Sequence, residues 1–203
     1  MNKHIIATTF VTLFAAPVMA KDSVVIEERF TVDSDSRIQF EIPVGKLDLQ
    51  THDSDEVIIE VKVKDQEDNW FASPDLDEVY LDKRVSGNRV ILEIDANDTI
   101  QDWEVYVPKS AHIDVSLGVG EVDLEDLTRD IFVEVGVGEV DIRLGEDDYG
   151  RIELESGVGA ADLSGFKNIE NERHFISESS NWRGAGRYDI LVEVGVGDVD
   201  VDY

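Results

Sequence analysis

The sequence predicts an all-β fold, a single-domain parallel β-solenoid (β-helix-like) built from five copies of one short phrase. The first observation is the phrase itself, Gly-x-Gly-x-Val-Asp or a close variant, which recurs five times in 203 residues. The second is a period-two alternation of apolar residues around each copy, which is typical of strands with one buried face. The third is the separation of 18 and 21 residues between successive later copies, a length typical of one solenoid coil.

Within each copy the apolar pattern changes phase near the second glycine, which we number position 0. Positions −7, −5, −3 and −1 are apolar before it, positions +2 and +4 are apolar after it, and only Ser156 departs from this rule. A one-residue shift would turn a strand's apolar side chains to solvent, so the pattern indicates a bulge or corner at the glycine. We therefore expect a strand, a corner and a shorter strand, with the −1 side chain facing inward. The position 0 glycines are Gly45, Gly120, Gly138, Gly159 and Gly197.

Residues 1–20 have the features of a secretory signal peptide. Lys3 and His4 give a basic start, residues 5–16 are apolar, and Ala20 ends a small-residue cleavage site. The apolar run is too short to span a bilayer of about 30 Å. We therefore expect an exported domain over residues 21–203, periplasmic or on the cell surface or extracellular, without membrane insertion of the mature chain.

Residues 21–110 contain one copy of the phrase and are predicted to form irregular first turns or a cap. Alternating apolar residues predict several strands there, and a polar stretch predicts a loop over residues 66–77. The predicted strands cover residues 23–31, 57–63, 79–81, 89–94 and 103–107.

Residues 111–203 are predicted to form regular coils, each stacked on the preceding one, with an insertion at residues 166–187. The insertion is rich in Glu, Asn and Ser but contains apolar residues such as Phe166 and Trp182. Two residues at the outward position −6 are apolar, Phe132 and Leu191. Our hypothesis is that the insertion folds back over this pair.

The composition is strongly acidic. The formal net charge is −28, and removal of residues 1–20, which contain one lysine and no acidic residue, makes it −29. Such a field repels nucleic acid and anionic lipid, and it favours a monomer that stays in solution. There is no cysteine, so disulfide and thiol chemistry are excluded.

The order of these features resembles a known bacterial family. Residues 57–63 follow a first phrase, then come Tyr106-Val107-Pro108-Lys109 and consecutive Gly-x-Gly-x-Val-Asp-Leu coils. This is similar to the secreted "putative adhesin" domains, a broad family of unknown function with β-solenoid repeats. The resemblance, over roughly residues 35–203, implies an envelope or surface location and an adhesin-like role.

The most specific chemical feature is the aspartate at position +3 of all five copies, with a second carboxylate at +1 in three of them. In stacked coils they would form two outward columns with neighbours about 4.8 Å apart, which repel by about 0.9 kcal/mol per pair in water. Each aspartate could accept hydrogen bonds from corner N–H groups. Alternatively, the columns could bind Ca²⁺, which prefers oxygen ligands. The calcium candidates are Glu121, Asp123, Glu139, Asp141, Asp198 and Asp200.

The sequence supports an enzymatic function less well than a binding function. The glycine phrase lacks the helix and third glycine of a dinucleotide-binding loop. His52, His112 and His174 have no nucleophile or metal motif around them, so no catalytic or cofactor-binding residue is predicted. A small solenoid carbohydrate-active enzyme acting on uronic acids remains an alternative; it would need a basic cluster for its polyanionic substrate. The arginines that could supply one are scattered in sequence: Arg143, Arg151, Arg173, Arg183 and Arg187.

The sequence therefore predicts a non-enzymatic binding or structural module of the bacterial envelope. The expected partner is an envelope protein or a surface polymer. A calcium-stabilised envelope scaffold is the second alternative.

Overall fold

The computed structural model describes residues 23–66, 76–145 and 148–203. The predicted signal peptide and most of the predicted 66–77 loop lie outside the described residues. Within them the chain forms one 3₁₀ turn at Leu76–Glu78 and thirteen β-strands. The strands are β1 (Ser23–Thr31), β2 (Arg37–His52), β3 (Glu56–Asp65), β4 (Asp82–Ser86), β5 (Arg89–Glu93), β6 (Thr99–Pro108), β7 (His112–Leu127), β8 (Ile131–Leu144), β9 (Tyr149–Val158), β10 (Ala161–Leu163), β11 (Glu170–Arg173), β12 (Glu178–Arg183) and β13 (Tyr188–Asp202).

The predicted all-β class is confirmed, but the sheet is mixed. All thirteen strands belong to one open sheet, with main order β1-β3-β6-β2-β7-β8-β13-β9-β12-β11. The phrase-bearing strands β2, β7, β8, β13 and β9 run parallel, in register. Strands β1, β3, β11 and β12 pair antiparallel. Parallel stacking is therefore confined to the middle of the sheet. The described residues contain no helix with the length and apolar character needed to cross a bilayer.

Most of the strands predicted before the coils are present. The exception is 79–81, because pairing with β5 starts only at Asp82, while Val79 and Leu81 pack against the core as partly buried side chains.

The long parallel strands bend at the phrase, so the sheet has two arms. Residues before the bend form the first arm, with β5 and β9 beside them. Residues after the bend form the second arm, with β6 and β10. The inward side chains of both arms meet in one core. Phe40 of the first arm contacts Trp103 of the second edge-on, with ring centroids 6.0 Å apart.

The bend occupies positions −2 to +1, which all lie on its outer side. In the second copy Leu117 at −3 and Val122 at +2 are buried, but Val119 at −1 is 48% exposed. Val137, Val158 and Val196 are exposed to a similar degree, 43–48%. The prediction that the −1 valine faces inward is therefore wrong. The phase change takes four residues instead of one, so the −1 side chain points away from the core.

The glycine at position 0 is required by how closely the bends stack. These glycines have φ between +139° and +156°, which side chains disfavour. A Cβ on Gly138 would lie 1.7 Å from the carbonyl oxygen of Gly120, and one on Gly197 would lie 1.6 Å from that of Gly138. A side chain at position 0 would thus overlap the backbone of the next strand.

The copies do not stack in chain order, which corrects the sequence prediction. Strand β13, with the fifth copy, pairs with β8 on one side and with β9 on the other. The spatial order is therefore first, second, third, fifth, fourth. The fourth copy is the weakest one: buried Ser156 replaces the −3 apolar residue and donates a hydrogen bond to the Gly197 carbonyl oxygen at 2.6 Å. The fifth copy, which is apolar at all six positions of the pattern, lies between two parallel neighbours, β8 and β9.

The insertion at residues 166–187 extends the sheet. Its strands β11 and β12 form an antiparallel hairpin, and β12 pairs with the free edge of β9. Phe166 lies between Trp182 and Tyr203, at centroid distances of 4.6 and 5.5 Å. This aromatic cluster packs beside the core next to β10.

The insertion does not cover the outward apolar pair as hypothesised. Phe132 remains 37% exposed. Leu191 is half-buried and lines a groove beside the hairpin turn. Backbone pairing holds the hairpin at the edge of β9. Strand β9 separates it from Leu191 in β13, and both β9 and β13 separate it from Phe132 in β8, so it does not reach Phe132.

Candidate functional site

Both predicted acidic columns lie on the outer face of the sheet, the +1 column at the end of the bend and the +3 column on the second arm, and they contain all six calcium candidates. The strand register aligns the side chains of β7, β8 and β13 row by row. The +1 column is Lys46, Glu121, Glu139 and Asp198. The +3 column is Asp48, Asp123, Asp141, Asp200 and Asp162.

Crowding of like charges raises the pKa of carboxyl groups in the middle of these columns. The pKa of Glu139 is raised mainly by Asp141, with smaller effects from Glu121 and Asp198. Partial burial is the first cause of the raised pKa of Asp141 and of Asp200, and neighbouring carboxylates add to it. The folded chain therefore holds these protons more tightly than the unfolded chain, which couples the columns to stability.

One lysine compensates the columns at the β2 end. The Nζ atom of Lys46 lies 2.7 Å from Asp123, 3.3 Å from Asp48 and 3.6 Å from Glu121. The hydrogen bond to Asp123 is the main cause of the raised pKa of Lys46. Burial and the hydrogen bond to Asp123 raise the pKa of Asp48, although Lys46 opposes this effect.

Beyond β7 the columns have no such partner. Within the described ranges, no lysine, arginine or histidine lies within 4.0 Å of a column carboxylate on β8 or β13. The side of the columns toward β13 is therefore an uncompensated negative surface.

The columns are straight and do not converge. Among residues 23–66, 76–145 and 148–203, no three histidine or carboxylate side chains are grouped so that they could hold a metal ion. The backbone N–H of Ala160 donates a hydrogen bond to Asp198 Oδ1 at 2.8 Å, so a +1 carboxylate makes the corner bond predicted for +3. Calcium binding at the six candidates stays a prediction.

The structure adds two outward rows, one on the first arm before the bend and one within the bend. The first, which we call the upstream acidic column, occupies position −4 and consists of Glu41, Glu134, Glu193 and Glu155, with Ser116 in the second copy. The second, which we call the valine ridge, occupies position −1 and consists of Val44, Val119, Val137, Val196 and Val158. Sequence reasoning assigned the valines to the core because it placed the phase change at position 0. The signal was available in the glycine at −2, which occurs in four of the five copies. The glutamates at −4 face outward in the predicted alternation, but no surface was inferred from them.

The arginines do not form a cluster that could bind a polyanion. Each is paired with at least one carboxylate: Arg143 with Glu125, Arg151 with Asp189, Arg173 with Glu178, Arg183 with Glu153 and Arg187 with Asp148. Only Arg151 and Arg183 are cross-strand neighbours among these five, and both lie within 4.0 Å of Glu153. The basic cluster that a uronic-acid enzyme would need is thus not formed by these five residues.

The histidines occupy three unrelated places. His52 Nε2 lies 2.6 Å from the carbonyl oxygen of Glu56 in an exposed turn. His112 Nδ1 lies 3.0 Å from Asp130. His174 lines a groove of about 340 Å³ together with five glutamates, Glu153, Glu155, Glu172, Glu178 and Glu193. None of these surroundings brings a histidine to a buried nucleophile.

Comparison with known families and structures gives a consistent result for the fold. The family model described as the N-terminal domain of toast_rack, DUF2154, matches residues 17–164. No significant match was found among curated proteins.

Solved structures from two bacteria are similar to this chain. A "putative cell adhesion protein" from Clostridium sporogenes is 17% identical, with 88% of this chain and 99% of that chain covered and a TM-score of 0.51. A "putative adhesin" from Bacteroides fragilis is 12% identical, with coverage of 87% and 96% and a TM-score of 0.32. At these identities the first likeness supports the fold alone, and the second is too distant to support an argument.

Proposed function

This chain belongs to the family of toast_rack N-terminal domains, and from that membership we propose that it is an exported, non-enzymatic, adhesin-like module of the bacterial envelope. We further propose that its five copies are solenoid coils, one of them placed out of chain order. Its partner is an envelope protein or a surface polymer.

The observation that carries this proposal is the unbroken register of the outward rows. From β2 through β9 the same phrase position lies side by side in every strand. Adjacent strands are about 4.8 Å apart, so five strands present each row over about 19 Å. A repeating, exposed surface of this kind is adapted to an extended partner, since enzymes use concave and largely enclosed sites.

The charges also favour a binding module over the carbohydrate-active alternative. The five scattered arginines are paired with carboxylates, and the chain is strongly anionic. A polyanionic substrate would be repelled from the acidic rows.

The test is to export the full chain in a bacterial host and follow both location and binding. We expect cleavage near Ala20, recovery of the mature chain from the periplasm, the cell surface or the medium, and retention of the purified chain on envelope fractions. An acidic β-protein of equal net charge serves as the control. Retention no greater than that of the control, or a full-length chain kept in the cytoplasm, would refute the proposal.

A further inference from the structure

We propose that the valine ridge, with the acidic rows on both sides of it, is a docking surface for a basic amphipathic protein segment. The inference rests on the proposed function, because it specifies the kind of partner that the binding module takes. It depends on three observations: the exposure of the ridge, its glycine borders and the charge on its flanks.

The ridge is apolar surface that the fold leaves uncovered. The valines of β7, β8, β13 and β9 are 43–48% exposed. At the β9 end the backbone N–H of Gly159 donates to the carbonyl oxygen of Ile176, so the ridge meets the hairpin turn that carries Ile176 and Phe175. These two side chains are 63% and fully exposed. A contiguous apolar row that ends on an exposed aromatic residue is typical of an interaction site.

Bare backbone borders the ridge on both sides. Position −2 is glycine in four copies and position 0 is glycine in all five. The valine ridge therefore stands between two rows of glycine, interrupted only by Pro43 at position −2 of the first copy. Apolar side chains of a partner can lie in the two shallow grooves above these glycines. A helix fits this repeat, because its 5.4 Å pitch is close to the strand spacing of about 4.8 Å. A segment of about 13 helical residues would cover the five strands.

The acidic rows on both sides of the ridge determine the sign of the partner's charge. The upstream acidic column lies on one side, with Glu134, Glu155 and Glu193 exposed, and Glu139 and Asp198 of the +1 column lie on the other. None of these five carboxylates has an ion pair with a described residue. Lysines or arginines on both borders of an apolar stripe would pair with them. A second copy of this chain would instead place acidic rows against acidic rows, and an anionic lipid surface would be repelled.

The test uses two synthetic 15-residue helical peptides with the same apolar stripe, one with lysine and one with glutamate on its borders. Binding to the exported chain is measured by fluorescence anisotropy at about 0.15 M salt. The ridge variant is Val137→Thr/Val196→Thr, which keeps the β-branched shape. Its control is Val25→Thr/Val85→Thr, at valines that are 42% and 65% exposed elsewhere. We expect the lysine peptide to bind and the glutamate peptide not to bind. The affinity of the lysine peptide should fall about tenfold for the ridge variant and change less than twofold for the control variant. Equal affinities of the two variants at equal Tm would overturn the proposal.

A second pair of variants separates specific docking from general attraction to an acidic protein. Glu134→Gln/Glu193→Gln removes two adjacent flank charges, and Glu27→Gln/Glu60→Gln removes two adjacent charges between β1 and β3. We expect at least a threefold loss in the first and a smaller loss in the second. Equal losses would mean non-specific attraction and would refute a defined site.

Retention on envelope fractions separates this proposal from the proposed function, and the oligomeric state identifies the occupant of the ridge. Peptide binding at the ridge without retention on envelope fractions would refute the envelope function and leave the docking surface. A dimer that dissociates in Val137→Thr/Val196→Thr would make a second copy the occupant and would overturn the basic-segment proposal.

Discussion

Replacement of Gly197 by alanine tests whether the closeness of the stacked bends defines the fold. Gly197 lies in β13, between β8 and β9, with φ +139°. An added Cβ would be 1.6 Å from the carbonyl oxygen of Gly138 and 2.7 Å from its carbon. The control is Gly87→Ala, because Gly87 also has a positive φ of 64° but nothing within 4 Å of the added Cβ.

Both substitutions carry a backbone cost, and only Gly197→Ala also creates a clash. A side chain costs about 1–2 kcal/mol in the left-handed region of Gly87 and about 1–3 kcal/mol in the more restricted conformation of Gly197. Relief of the overlap at Gly197 requires β13 and β8 to separate by more than 1 Å, a separation that weakens at least two ladder hydrogen bonds and the packing beside them. Each bond contributes about 1 kcal/mol, so we expect a total loss of about 3–5 kcal/mol for Gly197→Ala.

Urea unfolding followed by circular dichroism measures both variants against the unmodified chain. For a domain of this size the losses correspond to a fall in Tm of about 6–20 °C for Gly197→Ala and of about 2–8 °C for Gly87→Ala. Equal losses would show that only the backbone conformation matters, and that the strands can move apart at the bend without cost.

Three further predictions concern the acidic columns. The folded-state pKa values of Asp141 and Asp200 are raised first by partial burial and that of Glu139 by its charged neighbours. The resulting destabilisation exists above these pKa values and disappears on protonation, so the Tm should rise as the pH falls from 7 to about 4.5 at low salt; a Tm that falls over this range would contradict it. Lys46→Gln should lower the Tm by about 2 °C at low salt and by less at 0.5 M NaCl, because Lys46 compensates the columns only in a partly solvated setting; a salt-independent loss would point to packing instead. Since the columns do not converge, millimolar Ca²⁺ and Mg²⁺ should raise the Tm equally by screening, and a stoichiometric calcium-specific heat in calorimetry would instead establish the sequence-predicted site.

The sequence was informative wherever a repeat and a period determine the outcome. Alternation of apolar residues predicted the buried sides of both arms, and the aligned phrases predicted the parallel register that brings Glu139 beside Asp198 and Asp141 beside Asp200. These features follow from local geometry, since side chains alternate along a strand and identical phrases align most easily with one another.

The parts that sequence reasoning missed depend on non-local packing. The outward position of Val137 arises because the bend extends over four residues; the glycine at position 0 alone does not indicate this length, and only the second glycine at −2 does. The place of β13 depends on which copy can lie at the end of the parallel strands. The fourth copy lies there: its Ser156 replaces an apolar residue and donates a hydrogen bond to the Gly197 carbonyl oxygen, and the hairpin pairs with the other edge of β9. The compensation of the columns by Lys46 depends on the distances between its Nζ atom and carboxylates on two strands, β2 and β7.

The out-of-order position of β13 bears on when the sheet can form. Strand β9 is synthesised before β13, yet in the folded chain β13 separates it from β8. Until β13 is available, the parallel edges of β8 and β9 both lack their native neighbour, so the middle of the sheet cannot be completed before β13 has been synthesised. Loss of β13 would therefore remove a middle strand of the sheet and leave β8 and β9 without the neighbour that joins them.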